Sequence, residues 1–312
     1  MSGRLSLHDR AVAAANRSLV ISGPARSGTT LIGAVIHSCE RVEYVMEPPM
    51  LFALLPLVER LGEADFALLF ETYVYEEMLM GHVTGRAFNF NDNDLSCVRR
   101  AKGEGDIARR MATAWRKETA AEAARDRIMA FKLPDITPFM APLLERYPGM
   151  QGLVMARNAN AVMNSVAKKN WLDDESLSRR YLMWPTDATV TPPLPFWAGE
   201  ELRDRWSGMG ELERAGEYYL RVMEGIEKLP RTLVVSYDAL LASPAAVTGK
   251  MIGALGMTPG EKTADLIDTI RESPGERDDL VSQLPDGLRQ RVGAISDRYT
   301  GFVGWADGAP LD

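Results

Sequence analysis

Cysteine and histidine are scarce: Cys39 and Cys97, with His8, His37 and His82, are all the chain has in 312 residues. Two thiols cannot build a disulfide framework or a cysteine-based zinc site. Three scattered imidazoles leave little for a histidine metal centre. A protein without metal, in a reducing compartment, is the expectation. Long apolar runs are missing too. None approaches the roughly 18 residues of a membrane-span candidate, and the opening MSGRLSLHDRAVAAANR lacks the apolar stretch of a signal peptide. A soluble, cytoplasmic protein is expected. Positive charge is the third shortage: 36 Lys and Arg against 43 Asp and Glu give a net charge of −7. This argues against a surface that coats nucleic acid and confines any anion site to a local cluster. The length suffices for a substantial core, and with no repeat or low-complexity linker a single domain over residues 1–312 is expected. Oligomeric state is not legible.

One further absence is local. Residues 19–36 read LVISGPARSGTTLIGAVI. An apolar run, a loop with two glycines and an apolar helix start follow one another, which is how a phosphate is held on backbone N–H groups at a helix N-terminus. Gly23 and Gly28 are spaced as in G-x-x-x-x-G-K-[ST], but Thr29 stands where the lysine belongs. A nucleotide triphosphatase needs that lysine on the β- and γ-phosphates. Here the cation comes earlier, at Arg26. Arg26, Ser27, Gly28, Thr29 and Thr30 can still grip one doubly charged group.

Alternation and β-branching place strands at about 18–22, 41–46, 127–132, 152–156 and 231–236. Helices are expected after the loop to about residue 38, within 50–82, and at 102–125, 138–147, 158–169, 201–229, 245–255, 262–271 and 288–299. Residues 81–96 and 173–200 read as irregular. Five strands separated by helices predict a three-layer α/β sandwich with a mostly parallel, about five-stranded central sheet, P-loop-like. In such sheets ligands bind beyond the carboxyl ends of the strands. Those ends carry Arg26, Glu47, Lys132, Arg157 and Tyr237 in turn. Each is a residue useful for a sulfated nucleotide, and their joint occurrence weighs more than any one of them.

P-x-R-S-G-T-T after a strand resembles the 5′-phosphosulfate loop of sulfotransferases that use 3′-phosphoadenosine 5′-phosphosulfate (PAPS) and release adenosine 3′,5′-bisphosphate (PAP). The resemblance is specific at residues 22–30 and 157–165, moderate at 47, 132 and 237, and weak elsewhere. It implies that Gly23 and residues 26–30 bind the 5′ group. Arg157 and Ser165, about 12 Å of helix apart, would take the 3′-phosphate that distinguishes PAPS from ATP, and Tyr237 would lie near the adenine. It implies Lys132 as the catalytic lysine donating to the leaving oxygen, with Arg26 beside it. One branch of the family has a histidine base two residues after the lysine; Pro134 stands there. Glu47, 17 residues past Thr30, resembles the glutamate base of tyrosylprotein and some bacterial and carbohydrate enzymes. His82 is the alternative base. The implied acceptor is a small or medium organic hydroxyl compound, faced by residues 81–96 and 173–197, with Phe88, Phe90, Trp171, Trp184 and Trp197 as candidate wall residues. Two other readings stay open. One is a P-loop kinase using Mg·ATP, with Asp135 as a metal carboxylate. The other is a nucleotide-binding protein without chemistry.

Overall fold

The computed structural model describes residues 9–179, 184–271 and 278–311; His8, residues 1–8 of the polar lead-in, Arg180 and residues 181–183 of the irregular stretch lie outside them. Among the described residues six strands form the central sheet: β1 (Leu19–Ser22), β2 (Val42–Met46), β3 (Ile128–Lys132), β4 (Gln151–Ala156), β5 (Thr232–Ser236) and β6 (Val303–Trp305). Their order is β2-β3-β1-β4-β5-β6. The first five run parallel and β6 pairs antiparallel with β5. The mixed α/β fold and the mostly parallel sheet are as expected.

Alternation along the strands sends side chains to two cores. Leu19, Ile21, Ala130, Leu153, Met155, Leu233 and Val235 pack with helix α1 (Thr29–Ser38) and with Pro244–Ala254. Val20, Met129, Phe131, Val154 and Val234 pack on the opposite face with α2 (Met140–Arg146), α3 (Ala159–Ala167) and α4 (Glu211–Met223). Adjacent strands β1 and β3 therefore send their following helices to opposite faces, and the connections part there. That divergence opens the crevice in which α/β sheets bind ligands.

Local chemistry fixes the loops that border it. Gly28 caps α1 with φ 82°, and a Cβ there would collide with the Tyr237 ring. Pro48 and Pro134 follow β2 and β3, where a missing N–H forbids further pairing. Asn158 caps α3 by accepting from Ala161 N–H at 3.4 Å.

Three expectations about helices and strands change. The helix expected over 102–125 is two, Glu104–Ala112 and Lys117–Ala124. Between them the Trp115 indole donates to Arg110 O at 2.9 Å and satisfies a carbonyl of the first helix's last turn. The long helix expected over 201–229 breaks at Gly208 and Gly210 into Arg203–Trp206 and α4, and the buried Arg214 guanidinium takes the carbonyls of Trp206 and Leu172. Strand β6 was not expected; three residues carry too little periodicity to read. Within the irregular 173–200 stretch lie a helical turn at Asp174–Arg179 and a two-residue pairing of Thr186–Asp187 with Leu194–Pro195. Among the described residues no helix is long and apolar enough to cross a membrane.

Candidate active site at the carboxyl edge of the sheet

The loop after β1 is held open by its own geometry. Arg26 has φ 72°, a left-handed conformation uncommon outside glycine. A Cβ at Gly23 would strike the Met155 carbonyl, so only glycine lets the loop cross β4 so closely. Ser27 N–H donates back to Pro24 O at 3.1 Å. The Ser27 hydroxyl is buried and has no hydrogen-bond partner.

The arginine of this loop meets residues more than 130 positions away. Arg26 Nε donates to Ser165 Oγ at 3.1 Å, and Arg157 Nη1 donates to the Arg26 carbonyl. The Arg157 guanidinium lies over the Tyr237 ring, 4.7 Å from its centroid. The Tyr219 hydroxyl donates to Arg157 O at 3.0 Å, and Ala159 N–H donates to Ser296 Oγ at 3.0 Å. Both bonds fix the turn that aims Arg157. Gly28, Arg26, Ser165, Arg157 and Tyr237 thus form one connected patch.

Beside it, Lys132 and Glu47 form an ion pair, Nζ to Oε1. Lys132 is only 2 % exposed while the Glu47 side chain is 37 % exposed. Glu47 N–H donates to Lys132 O at 2.8 Å, and the Glu47 backbone is left-handed at φ 52°. The strand ends, the chain twists, and the carboxylate is brought onto the ammonium of the neighbouring strand.

Arg26, Thr29, Thr30, Glu47 and Lys132 line a single cavity of about 340 Å³, walled further by Phe52, Pro134, Asp135, Trp171 and Trp184. A second cavity of about 900 Å³ is lined by residues adjoining three of those walls: Ala53 beside Phe52, Pro138 and Phe139 beyond Asp135, and Pro185 beside Trp184. Trp184 and Trp197, one in each wall, meet edge to face with centroids 5.8 Å apart.

The structure does not bring every candidate here. No residue of 81–96 lines the cavity. His82 is 9 % exposed, with Nδ1 bound to Met78 O at 2.8 Å, and burial holds its pKa below the usual imidazole range. It belongs to a separate charged cluster with Glu43, Lys102 and Arg110. Phe88 and Phe90 pack against Arg110 and Arg99. Trp197 is buried at 2 % exposure against Trp206 and Tyr218. Trp171 and Trp184 are the aromatic candidates that reach the cavity. Asp135, read as a metal carboxylate in the kinase alternative, spends both oxygens on protein donors. Among the described residues no group of three or more His, Cys, Asp or Glu could hold a metal ion.

Sequence reasoning missed Tyr218 and Tyr219, which serve the site from behind. Their signal was faint: two adjacent tyrosines on a helix that also buries Arg214 and Glu217.

No family model matches the chain, and no curated protein matches it. Solved structures do. The sulfotransferase STF1 of Mycobacterium tuberculosis H37Rv aligns at 12% identity over 92% of this chain and 79% of that one, with a TM-score of 0.45. The sulfotransferase domain of the Synechococcus PCC 7002 olefin synthase aligns at 16% identity over 90% and 93%, with a TM-score of 0.38. A sulfotransferase from Alicyclobacillus acidocaldarius aligns at 16% identity over 90% and 94%, with a TM-score of 0.36.

Proposed function

We propose that the protein transfers the sulfuryl group of PAPS to a hydroxyl of an organic acceptor. The observation that carries this is that Arg26, Lys132 and Glu47 line one cavity, with Lys132 paired to Glu47 and with Arg26 bonded to both Ser165 and Arg157 just beyond it. The 3′- and 5′-phosphates of PAPS sit on one ribose, so their anchors must be neighbours; here Arg26 touches both members of the 3′ pair. The donor set fits the group chemically. Two guanidiniums, the unpartnered Ser27 hydroxyl, Thr29, Thr30 and the first N–H groups of α1 are all donors.

Bound PAPS supplies an electrophilic sulfur and a phosphate leaving group. Arg26, Ser27, Gly28, Thr29 and Thr30 hold the 5′ group, with Gly23 giving the loop room; Arg157 and Ser165 hold the 3′-phosphate. Tyr237 stacks on the Arg157 guanidinium and lies near the adenine. Lys132 donates to the bridging oxygen as the S–O bond lengthens, where an ammonium in a desolvated site is most effective. Glu47 accepts the acceptor's proton as its oxygen attacks sulfur. That the two groups are paired at the wall of one cavity supports this division of roles. The acceptor's body extends along Phe52, Trp171 and Trp184 toward the neighbouring 900 Å³ cavity.

Thermal shift tests the donor. PAP at 100 times its Kd should stabilise by about 2.7 kcal/mol, with EDTA present. Turnover of PAPS with a phenol or alcohol should survive EDTA, because Arg26 and Lys132 supply the positive charge. Stabilisation by Mg·ATP alone, or activity that requires Mg²⁺, would establish the kinase instead.

A further inference from the structure

Asp135 lines the cavity but has no part in the roles above. It is 1 % exposed, and its backbone is left-handed at φ 68°. That twist, directly after Pro134, turns the residue back across the end of β1, where its N–H donates to Gly23 O at 3.1 Å. Oδ1 accepts from Ala25 N–H at 3.0 Å and from the Tyr218 hydroxyl. The same hydroxyl accepts from Ala25 N–H at 2.6 Å. Oδ2 accepts the Trp184 indole N–H at 3.1 Å. One carboxylate therefore ties together three segments: the residue before Arg26, the core helix α4, and the aromatic wall on the acceptor side.

A turn does not need this. Burying a carboxylate is costly unless it is paired, and here burial lifts its pKa to about 6 even though Tyr218, Ala25, Trp184 and Lys132 all pull the other way. The three donors come from elements 110, 83 and 49 residues away, so the fold has placed them around the one group. Ala25 and Trp184 both line the cavity, on its phosphate side and its acceptor side. We propose that Asp135 is a positioning residue that locks the phosphate-loop backbone to the Trp184 indole, so that an anion settling on the loop also sets the acceptor wall. The inference rests on the donor reading above for the identity of the anion, not for the coupling itself.

The test is a titration with PAP, followed by calorimetry and by tryptophan fluorescence, on wild type, Asp135→Asn, Tyr218→Phe and Trp184→Phe. Wild type should show a fluorescence change on binding. Trp184→Phe cuts only the acceptor-side arm: the fluorescence change should largely disappear while affinity stays within about threefold. Asp135→Asn presents an amide N–H₂ to one set of donors, so affinity should fall about tenfold or more, the effect of one charge-assisted hydrogen bond, and the fluorescence response should vanish. Tyr218→Phe keeps the carboxylate and should fall between the two, which preserves a reading if Asp135→Asn does not fold. Wild-type affinity in Asp135→Asn, or an unchanged fluorescence response in Trp184→Phe, overturns the proposal. If PAP fails to bind, the donor reading falls and the same titration is run with inorganic pyrophosphate. A response lost in Trp184→Phe then still supports the coupling, and no response to either anion overturns both.

Discussion

Glu43 and Glu47 stand four positions apart, one inside β2 and one just past its end, and their surroundings differ completely. Glu43 is fully buried, and its Oε1 receives Arg110 at 2.8 Å and Arg127 at 2.6 Å. Lys102 lies in the same cluster with its ammonium on the carbonyls of His37, Cys39 and Val42. His37 and His82 stand nearby, both with pKa lowered by burial. There the cations are committed to protein acceptors. Glu47 has one ammonium beside it, is partly open, and faces a cavity whose walls include the donors Arg26, Thr29 and Thr30. The residue types are the same in both places. What separates a structural charge cluster from a candidate reaction centre is whether the paired groups are sealed inside the protein or line a cavity open to a ligand.

The comparison breaks first, and most severely, at Glu43. Glu43→Ala should lower unfolding free energy by about 3 kcal/mol, because it leaves the buried Arg110 with Asp106 alone and the partly buried Arg127 without this carboxylate. Chemical denaturation would show this, with turnover nearly unchanged where the variant is folded. Loss of turnover without loss of stability would move the reaction centre to this cluster.

Glu47→Gln should do the reverse. It keeps the shape and removes the proton acceptor, so kcat should fall about 10²-fold with PAP affinity within a few-fold and stability little altered. His82→Ala is the control, and its kcat should hold. If instead Glu47→Gln retains most of its turnover while His82→Ala loses it, the base is His82.

Arg157→Ala sharpens the donor side. It should weaken PAP by about tenfold or more and weaken adenosine 5′-phosphate far less. Equal losses for the two nucleotides would remove Arg157 from the 3′-phosphate.

The smallest effect concerns pH and returns to the buried cluster. Burial holds the Lys102 ammonium down to about 8, against the opposing pull of Glu43 and with Arg110 and Arg127 adding to it. The unfolded chain keeps that proton to its ordinary value, so between about pH 8 and 10 the unfolded state binds more protons. Stability from this group then rises with pH, by at most about 1.4 kcal/mol per unit. Wild type should therefore gain on Lys102→Met in urea titrations as pH increases over that window. A constant difference would mean Lys102 does not titrate there.

Much of this was readable in the chain. The five parallel strands, the loop at Gly23 to Thr30, and the approach of Arg26, Glu47, Lys132, Arg157 and Tyr237 to one edge follow from strand ends in a parallel sheet, where direction alone sends the next residue to the same side. Short-range signals sufficed because each strand is apolar and each is stopped by a proline, a glycine or a helix cap. The separation of Glu43 from Glu47, by contrast, required the fold. In sequence both are glutamates flanking a β-branched run. Which one is sealed depends on Arg110 and Arg127, far away in the chain, and on a left-handed twist at Glu47 that no side chain demands. His82 was a candidate base in sequence and is a buried side chain in the fold for the same reason.

Local periodicity, glycine spacing and strand direction were enough for the five parallel strands, the glycine-bearing loop after β1 and the polar residues at the strands' carboxyl ends, but not for β6. Only the tertiary structure decided which of those residues touch: that Arg26 meets Ser165 and Arg157, that Lys132 meets Glu47, that residues 81–96 do not line the cavity, and that Asp135 joins three segments. Those are contacts across 49 to 139 positions. They are set by how two helical layers pack on the sheet, which no local pattern encodes.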